Sequence, residues 1–124
     1  MKDIGVSMRQ DILEHKKRDG MLEDDCFCYW TTRLRINNDV SVGSRLWVAS
    51  KGRWVGFFVI HDIEEDEGDY CEIRFYSDTW FDYDGGERKP FQGFTYKVPE
   101  LSREIGPMVY YDYSPGKEGW KIER

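Results

Sequence analysis

Planar rings and basic side chains alternate in the middle of this 124-residue sequence. The rings belong to Tyr29, Trp30, Trp47 and Trp54, and the cations belong to Arg33, Arg35, Arg45, Lys51 and Arg53. A protein that binds single-stranded nucleic acid needs cations for the phosphates and flat rings for the bases, and each stacked base contributes about 1–3 kcal/mol. The segment therefore holds both ingredients of such a site. The structural alternative stays open, because large rings often fill a small core and paired arginines can serve solubility alone.

Charge is distributed unevenly along the chain. The net charge is −6, yet residues 62–72 carry seven acidic side chains and no basic one, whereas residues 33–53 carry a local charge of +4. The overall acidity therefore does not exclude a basic surface. The acidic segment lacks the spacing of an EF-hand calcium loop, so we expect a solvated hairpin loop. We also hypothesise that this loop repels phosphate from one flank of the protein.

Other residues capable of chemistry are few. The conceivable metal ligands are Cys26, Cys28, Cys71, His15 and His61. Their spacing is not the paired C-x2-C of zinc ribbons, so we expect reduced thiols in the core, no metal and no cofactor. A cysteine–histidine nucleophile pair would need an orienting third residue, which the sequence does not reveal. In the absence of a catalytic signature, the sequence favours a binding protein over an enzyme.

Strands must position most of these side chains. From Cys26 the pattern has period two, which places Trp30 and Thr32 on one face of a strand and Arg33 and Arg35 on the other. The runs RLWVAS and RWVGFFVIHDI flank Lys51-Gly52 and predict a tight hairpin, with a bulge or bend at Gly56. Further strands are predicted at YCEIRFY and FQGFTYKV, and a last hairpin at MVYYDYSPGKEGWKIE.

The remaining segments predict helices and one long loop. Ser7 and Gln10 fit a capping box, which predicts a helix that ends before Gly20. A short helical turn is expected from Pro99 to Glu104, and the segment SDTWFDYDGGERKP is expected to be an aromatic loop. We therefore predict a single domain over residues 1–124, mainly β with one or two helices (α+β), as a small bent β-barrel with an N-terminal helix. A flat two-layer sandwich is the alternative.

The chain carries no apolar run long enough to cross a bilayer, and its first residues do not resemble a signal peptide. We therefore expect a cytoplasmic protein with no membrane partner.

Three short motifs resemble the PUA-like superfamily, particularly its ASCH and EVE branches. They are Tyr29-Trp30 followed by Arg33 and Arg35, then VSVGSRLW at residues 40–47, then KGRWVGFF at residues 51–58. The resemblance covers about residues 26–76. Ser44 stands where these domains usually have an acidic residue, and an intact ASCH-type Gly-x-Lys-x-x-Glu-x-Arg motif is absent. The resemblance implies a barrel whose concave side, beside the first helix, holds RNA or a modified base.

Together, the residues and the resemblance predict a small RNA-binding or modified-nucleotide-binding module. Trp30 and Trp54 would provide pocket rings, and Thr32 would provide a hydrogen bond. The phosphate contacts would come from Lys17, Arg33, Arg35, Lys51 and Arg53.

Two other functions stay open at this point. One is an ASCH-like hydrolase acting on RNA or a modified nucleoside, in which Lys16 or Lys17 works with Glu23 or Glu72. The other is a protein-interaction module that uses the aromatic loop 79–86. Its partner would contact Trp80, Phe81 and Tyr83, which could equally form a lid, an aromatic cage or a cover for the barrel mouth.

Overall fold

The computed structural model describes residues 2–20, 26–65 and 70–99 in full, and the backbone of residues 66, 108–110 and 120–122. In chain order the elements are β1 (Ile4–Ser7), α1 (Gln10–Lys16), β2 (Cys28–Thr32), β3 (Arg45–Ser50), β4 (Arg53–Asp66), β5 (Tyr70–Phe75), β6 (Phe81–Glu87), β7 (Phe94–Thr95), β8 (Met108–Tyr110) and β9 (Trp120–Ile122). A 3-10 helix at Ser77–Thr79 connects β5 to β6. The expectation of a mainly β chain with one or two helices is confirmed for the described residues.

Seven strands form one curled sheet. Its order is β2-β5-β4-β3-β1-β7, and β6 also pairs with β4. The long strand β4 pairs with β3 and β6 through its first half and with β5 through its second half. The curl brings the two edge strands close to each other. Trp30 of β2 packs edge-on against Phe94 of β7, with ring centroids 6.2 Å apart. The sheet is therefore bent part of the way towards a barrel.

The tight connection between β3 and β4 follows from its two residues. Lys51 and Gly52 both have positive φ, 52° and 78°, as the favoured two-residue hairpin turns require. Three residues after Arg53 the register of β4 shifts, and a Cβ at Gly56 would lie 2.3 Å from the carbonyl oxygen of Phe81. The predicted hairpin and the predicted irregularity at Gly56 are both confirmed.

Both faces of the central strands are buried. On one face Phe58 and Ile60 of β4 join Ile73 and Phe75 of β5 in the larger core, which α1 covers with Leu13. The opposite face carries a second, aromatic core, whose members include Trp47, Trp54, Phe57, Phe81 and Tyr83. Because successive residues of a strand point to opposite faces, the apolar run of β4 supplies both cores.

The start of the chain differs from the expectation. Ser7 does not cap a helix but ends β1, which pairs parallel with β3, and α1 begins at Gln10 without a side-chain cap. The physical reason is that Ile4 and Val6 are fully buried against β3, so tertiary burial outweighs a local capping pattern.

Three other segments can be compared with the sequence. The expected aromatic loop is wrong in part, since Phe81–Glu87 is strand β6, paired with β4. The strand expected at FQGFTYKV is reduced to the two residues of β7. The final hairpin is confirmed by the antiparallel pairing of β8 with β9. The helical turn expected from Pro99 to Glu104 lies outside the described residues beyond Pro99.

Within the part of the chain that is described, no helix is both long enough and apolar enough to cross a membrane.

Candidate functional site

The outward face of β2 and β5 displays polar and aromatic side chains at every second position. Tyr29 lies opposite Arg74, and Thr31 lies opposite Glu72, while Trp30 between them points inward. Each directly opposed pair in an antiparallel ladder shares one face of the sheet. The period-two pattern predicted from Cys26 onwards is thus confirmed over β2. We call the exposed side the outer face.

A depression of about 880 Å³ lies on this outer face. Its lining residues are Tyr29, Thr31, Thr32, Arg33, Tyr70 and Glu72. Tyr29 and Tyr70 are 55% and 42% exposed, so both rings are available to a ligand. The depression thus combines two accessible rings, hydroxyl groups, one cation and one carboxylate.

The two tyrosines lie at opposite ends of the depression. Thr32 pairs with Cys71, so Arg33 and Tyr70, the residues that follow and precede this pair, lie at the same end. Tyr29 stands four residues before Arg33, which corresponds to about 13 Å along an extended strand. The two exposed rings are therefore separated by about the length of four residues of a strand.

Arg74 neutralises much of the negative charge beside the depression. Its Nε lies 2.9 Å from Oε1 of Glu72, and its Nη1 lies 3.5 Å from both Asp62 and Glu64. The hydrogen bond to Glu72 is the largest cause that raises the pKa of Arg74. Burial lowers this pKa, and the negative charges of Glu72, Glu64 and Asp62 raise it further. The guanidinium group therefore holds three carboxylates and stays charged at every accessible pH.

Arg33 and Arg35 differ from Arg74 because they form no ion pair with any other described residue, and both are exposed. Arg33 lines the depression beside Tyr70. Thr32 also lines it, and its Oγ1 accepts a hydrogen bond of 3.1 Å from the backbone N–H of Leu34. Two of the predicted site residues, Thr32 and Arg33, therefore line one end of the depression.

Lys51 and Arg53 lie elsewhere. They flank the start of β4, whereas the depression lies beside its other end, where Glu65 pairs with Cys71. Neither Lys51 nor Arg53 lines the depression. Arg53 is also paired with Asp84 at 2.8 Å. The structure does not bring these two cations together with Arg33 and Arg35.

The remaining predicted residues are engaged in packing. Trp54 is 4% exposed within the aromatic core, so its ring cannot stack on a base, which corrects its expected role as a pocket ring. Trp30 is half-buried against the larger core and Phe94. Lys17 pairs with Glu14 at 3.4 Å and lies over the ring of Trp80. These three side chains point away from the depression or into the protein.

The lysines and the carboxylate named for a hydrolase have other partners. Nζ of Lys16 donates to the carbonyl oxygen of Tyr29 at 2.6 Å, and burial lowers the pKa of this lysine. Glu72 is held by Arg74, and Lys17 is paired with Glu14. Among the described residues, neither lysine is paired with Glu72, and Glu23 lies outside them.

The rings of residues 80–83 are engaged in packing as well. Trp80 is 7% exposed, Phe81 stacks on Phe57 with centroids 5.4 Å apart, and Tyr83 packs edge-on against Trp47 at 5.5 Å. A partner protein would meet only the parts of these rings that the aromatic core leaves uncovered. No observation on the described residues favours a protein partner here.

Metal and thiol chemistry would require the histidine and cysteine side chains. Within the described ranges, no group of three or more histidine, cysteine or acidic side chains is arranged to hold a metal ion. Asp19 lies 2.5 Å from Nδ1 of His15, so an orienting carboxylate exists, contrary to the expectation from sequence. Among the described side chains, no hydrogen bond joins His15 to a thiol, although His15, Cys26 and Cys28 line one pocket beside α1.

Sequence reasoning missed Tyr70 and Arg74 and assigned Glu72 only to a hydrolase. The signal was available in the strand YCEIRFY, where these three residues alternate with Cys71, Ile73 and Phe75. The two sets fall on opposite faces, so Tyr70, Glu72 and Arg74 had to face solvent if Ile73 was in the core. What the pattern did not reveal is that β2 is the strand beside them.

A scan against protein-family models, a search of curated proteins and a search of solved structures each find no match to this chain.

Proposed function

We propose that this protein binds a short segment of single-stranded RNA, or a modified nucleotide, on the outer face of β2 and β5. The observation that carries the proposal is a depression with an exposed ring at each end, Tyr29 and Tyr70, which is also lined by Arg33, a cation without an ion-pair partner among the described residues. Rings of this kind stack on bases, and an unpaired guanidinium group forms charge-assisted bonds with a phosphate. Arg35 supplies a second phosphate contact.

The proposed site is smaller than the one expected from sequence. It keeps Thr32, Arg33 and Arg35, adds Tyr29 and Tyr70, and leaves out the cations at the start of β4. Arg33 and Arg74 share this surface with the carboxylates of Asp62, Glu64 and Glu72, and Glu65 lies beside them near the end of β4, so the local charge is negative. A negatively charged surface does not hold a long polyanion, which favours a ligand of about two nucleotides.

The test compares two double variants that remove equal charge. Arg33→Ala with Arg35→Ala weakens binding of a fluorescein-labelled r(UUUUUU) by about tenfold at 0.05 M salt and lowers the salt slope by about 1.4, the value for two phosphate contacts. Lys51→Ala with Arg53→Ala is the matched control and changes affinity less than about twofold. Fluorescence anisotropy titrations at a series of salt concentrations measure the affinity and its salt slope.

The outcome that contradicts the proposal is an equal loss in the two double variants, which would indicate a diffuse attraction without a site. Absence of binding by the unmodified protein would also contradict it.

Tyr29→Ala should weaken binding of the same labelled hexamer through the lost stack, about 1–3 kcal/mol, and Tyr29→Phe should restore it.

We further propose that the fold is PUA-like. The support is the resemblance of residues 26–76 together with a curled, mainly β sheet in which the hairpin of β3 and β4 lies at the centre. An experimental structure in which β2 and β7 hydrogen-bond to close the barrel would strengthen this assignment, and one in which the two strands separate would remove it.

A further inference from the structure

The centre of the depression holds a carboxylate with a restricted position. Glu72 lies between Thr31 on β2 and Glu64 on β4, midway between the two tyrosines along the strands. Its side chain is 16% exposed, and Arg74 donates to Oε1 at 2.9 Å. A carboxylate fixed in this way points the same lone pairs at every ligand.

From this placement we propose that Glu72 reads a guanine base in the bound segment. The inference rests on the proposed function, because it needs a base stacked on Tyr29 or Tyr70 to bring its edge to Glu72. A carboxylate offers about four lone-pair positions, so Oε1 can accept a second hydrogen bond while it keeps the bond from Arg74, and Oε2 can accept another.

The choice of guanine follows from donors and acceptors. An ionised carboxylate accepts hydrogen bonds and donates none. The Watson–Crick edge of guanine presents two adjacent donors, N1–H and the N2 amino group, to the two carboxylate oxygens. Adenine and cytosine each place a ring-nitrogen acceptor beside their single amino donor, and uracil flanks its one donor with two carbonyl groups. Only guanine therefore matches Glu72 without bringing an acceptor against the negative charge.

Neighbouring Glu64 provides a matched comparison. It also contacts Arg74, at 3.5 Å, and carries the same charge, but its side chain is 56% exposed and does not line the depression. A change at Glu64 therefore alters the local field by the same amount without altering the group that faces the base.

The experiment measures anisotropy with four labelled hexamers, r(UUGGUU), r(UUIIUU), r(UUAAUU) and r(UUUUUU). The unmodified protein should bind the guanine hexamer about tenfold more tightly than the adenine hexamer, and the inosine hexamer, which lacks the N2 amino group, should fall between them. Glu72→Gln should reduce the guanine preference to about twofold or less, whereas Glu64→Gln should preserve it.

Each failure has a distinct signature. Binding that depends on Arg33 and Arg35 but shows no preference among the hexamers would overturn the guanine inference and leave the proposed function standing. Retention of the full preference in Glu72→Gln would also overturn it. Absence of binding to all four hexamers would overturn both. The comparison of the guanine hexamer with the inosine hexamer uses the unmodified protein. Equal affinity for these two hexamers would overturn the guanine inference even if Glu72→Gln does not fold.

Discussion

At the scale of single residues, exposure decides which of the rings and cations can contact a ligand. Tyr29 and Trp54 are both aromatic residues in strands, but Tyr29 is 55% exposed and Trp54 is 4% exposed. The ring of Tyr29 has the Lys16 ammonium group 5.2 Å from its centroid and stays accessible, whereas Trp54 packs against Trp47 and Phe91. Residue type alone does not distinguish a stacking platform from a core side chain.

The three thiols should differ in reactivity for the same reason. Cys26 is exposed, whereas Cys28 and Cys71 are buried, and burial raises the pKa of both buried thiols. The thiolate is the nucleophile, so Ellman's reagent at pH 8 should titrate one thiol quickly in the folded protein and all three in denaturant. Cys26→Ser should abolish the fast phase. A fast phase of two or three thiols in the folded protein would contradict the burial of Cys28 and Cys71.

At the scale of elements, β4 determines which side chains can meet. It carries Arg53 at its first residue and lies beside the depression at its other end. The irregularity at Gly56 lets β4 pass close under β6, where a Cβ would approach both the Phe81 carbonyl oxygen and the ring of Trp80. This close approach holds the rings of residues 80–83 in the core.

Substitution at Gly56 should therefore be costly. Gly56→Ala should lower the free energy of unfolding by about 2–4 kcal/mol, because the new methyl group meets backbone atoms that cannot move independently. Gly86→Ala is the control, since Gly86 also has positive φ but a Cβ there meets nothing within 4 Å. It should cost about 1–2 kcal/mol, the strain of the left-handed conformation alone. Urea denaturation measures the free energy of unfolding of both variants. Equal decreases in the two variants would show that the close approach of β4 to β6 does not cause the destabilisation by Gly56→Ala.

At the scale of the whole molecule, the acidic segment and the proposed site share one end of the sheet. Glu64 and Glu65 lie near the end of β4. Glu64 is the strand partner of Glu72, and Glu72 lines the depression. The hypothesis that this segment repels phosphate from one flank of the protein therefore concerns the flank that carries the proposed site, where its charge would weaken the binding of long polyanions.

Neutralising this charge should strengthen binding in a salt-dependent way. The double variant Glu64→Gln with Glu65→Gln should raise affinity for r(UUUUUU) by about threefold at 0.01 M salt and by less than about twofold at 0.15 M salt. Anisotropy titrations at the two salt concentrations measure this change. An affinity that stays constant, or a gain that persists at high salt, would show that these carboxylates do not act on the site through their charge.

Local patterns in the sequence determined several features of this protein. The alternation along β2, the turn at Lys51-Gly52, the irregularity at Gly56 and the pairing of β8 with β9 all follow from period-two patterning and turn residues. Such features depend on residues close together in the chain, so they can be predicted from sequence. The start of the chain shows the limit, because the capping pattern at Ser7 was overruled by burial of β1 against β3.

Only the tertiary structure decided which chemistry-bearing residues share a surface. It separated Arg33 from Arg53, which lie twenty positions apart, and it joined Arg33 to Tyr70, which lies thirty-seven positions away. It also placed Trp54 in a core and Glu72 at the centre of a depression. The physical reason is that strand pairing is set by burial summed over the whole sheet, a quantity that no local segment contains.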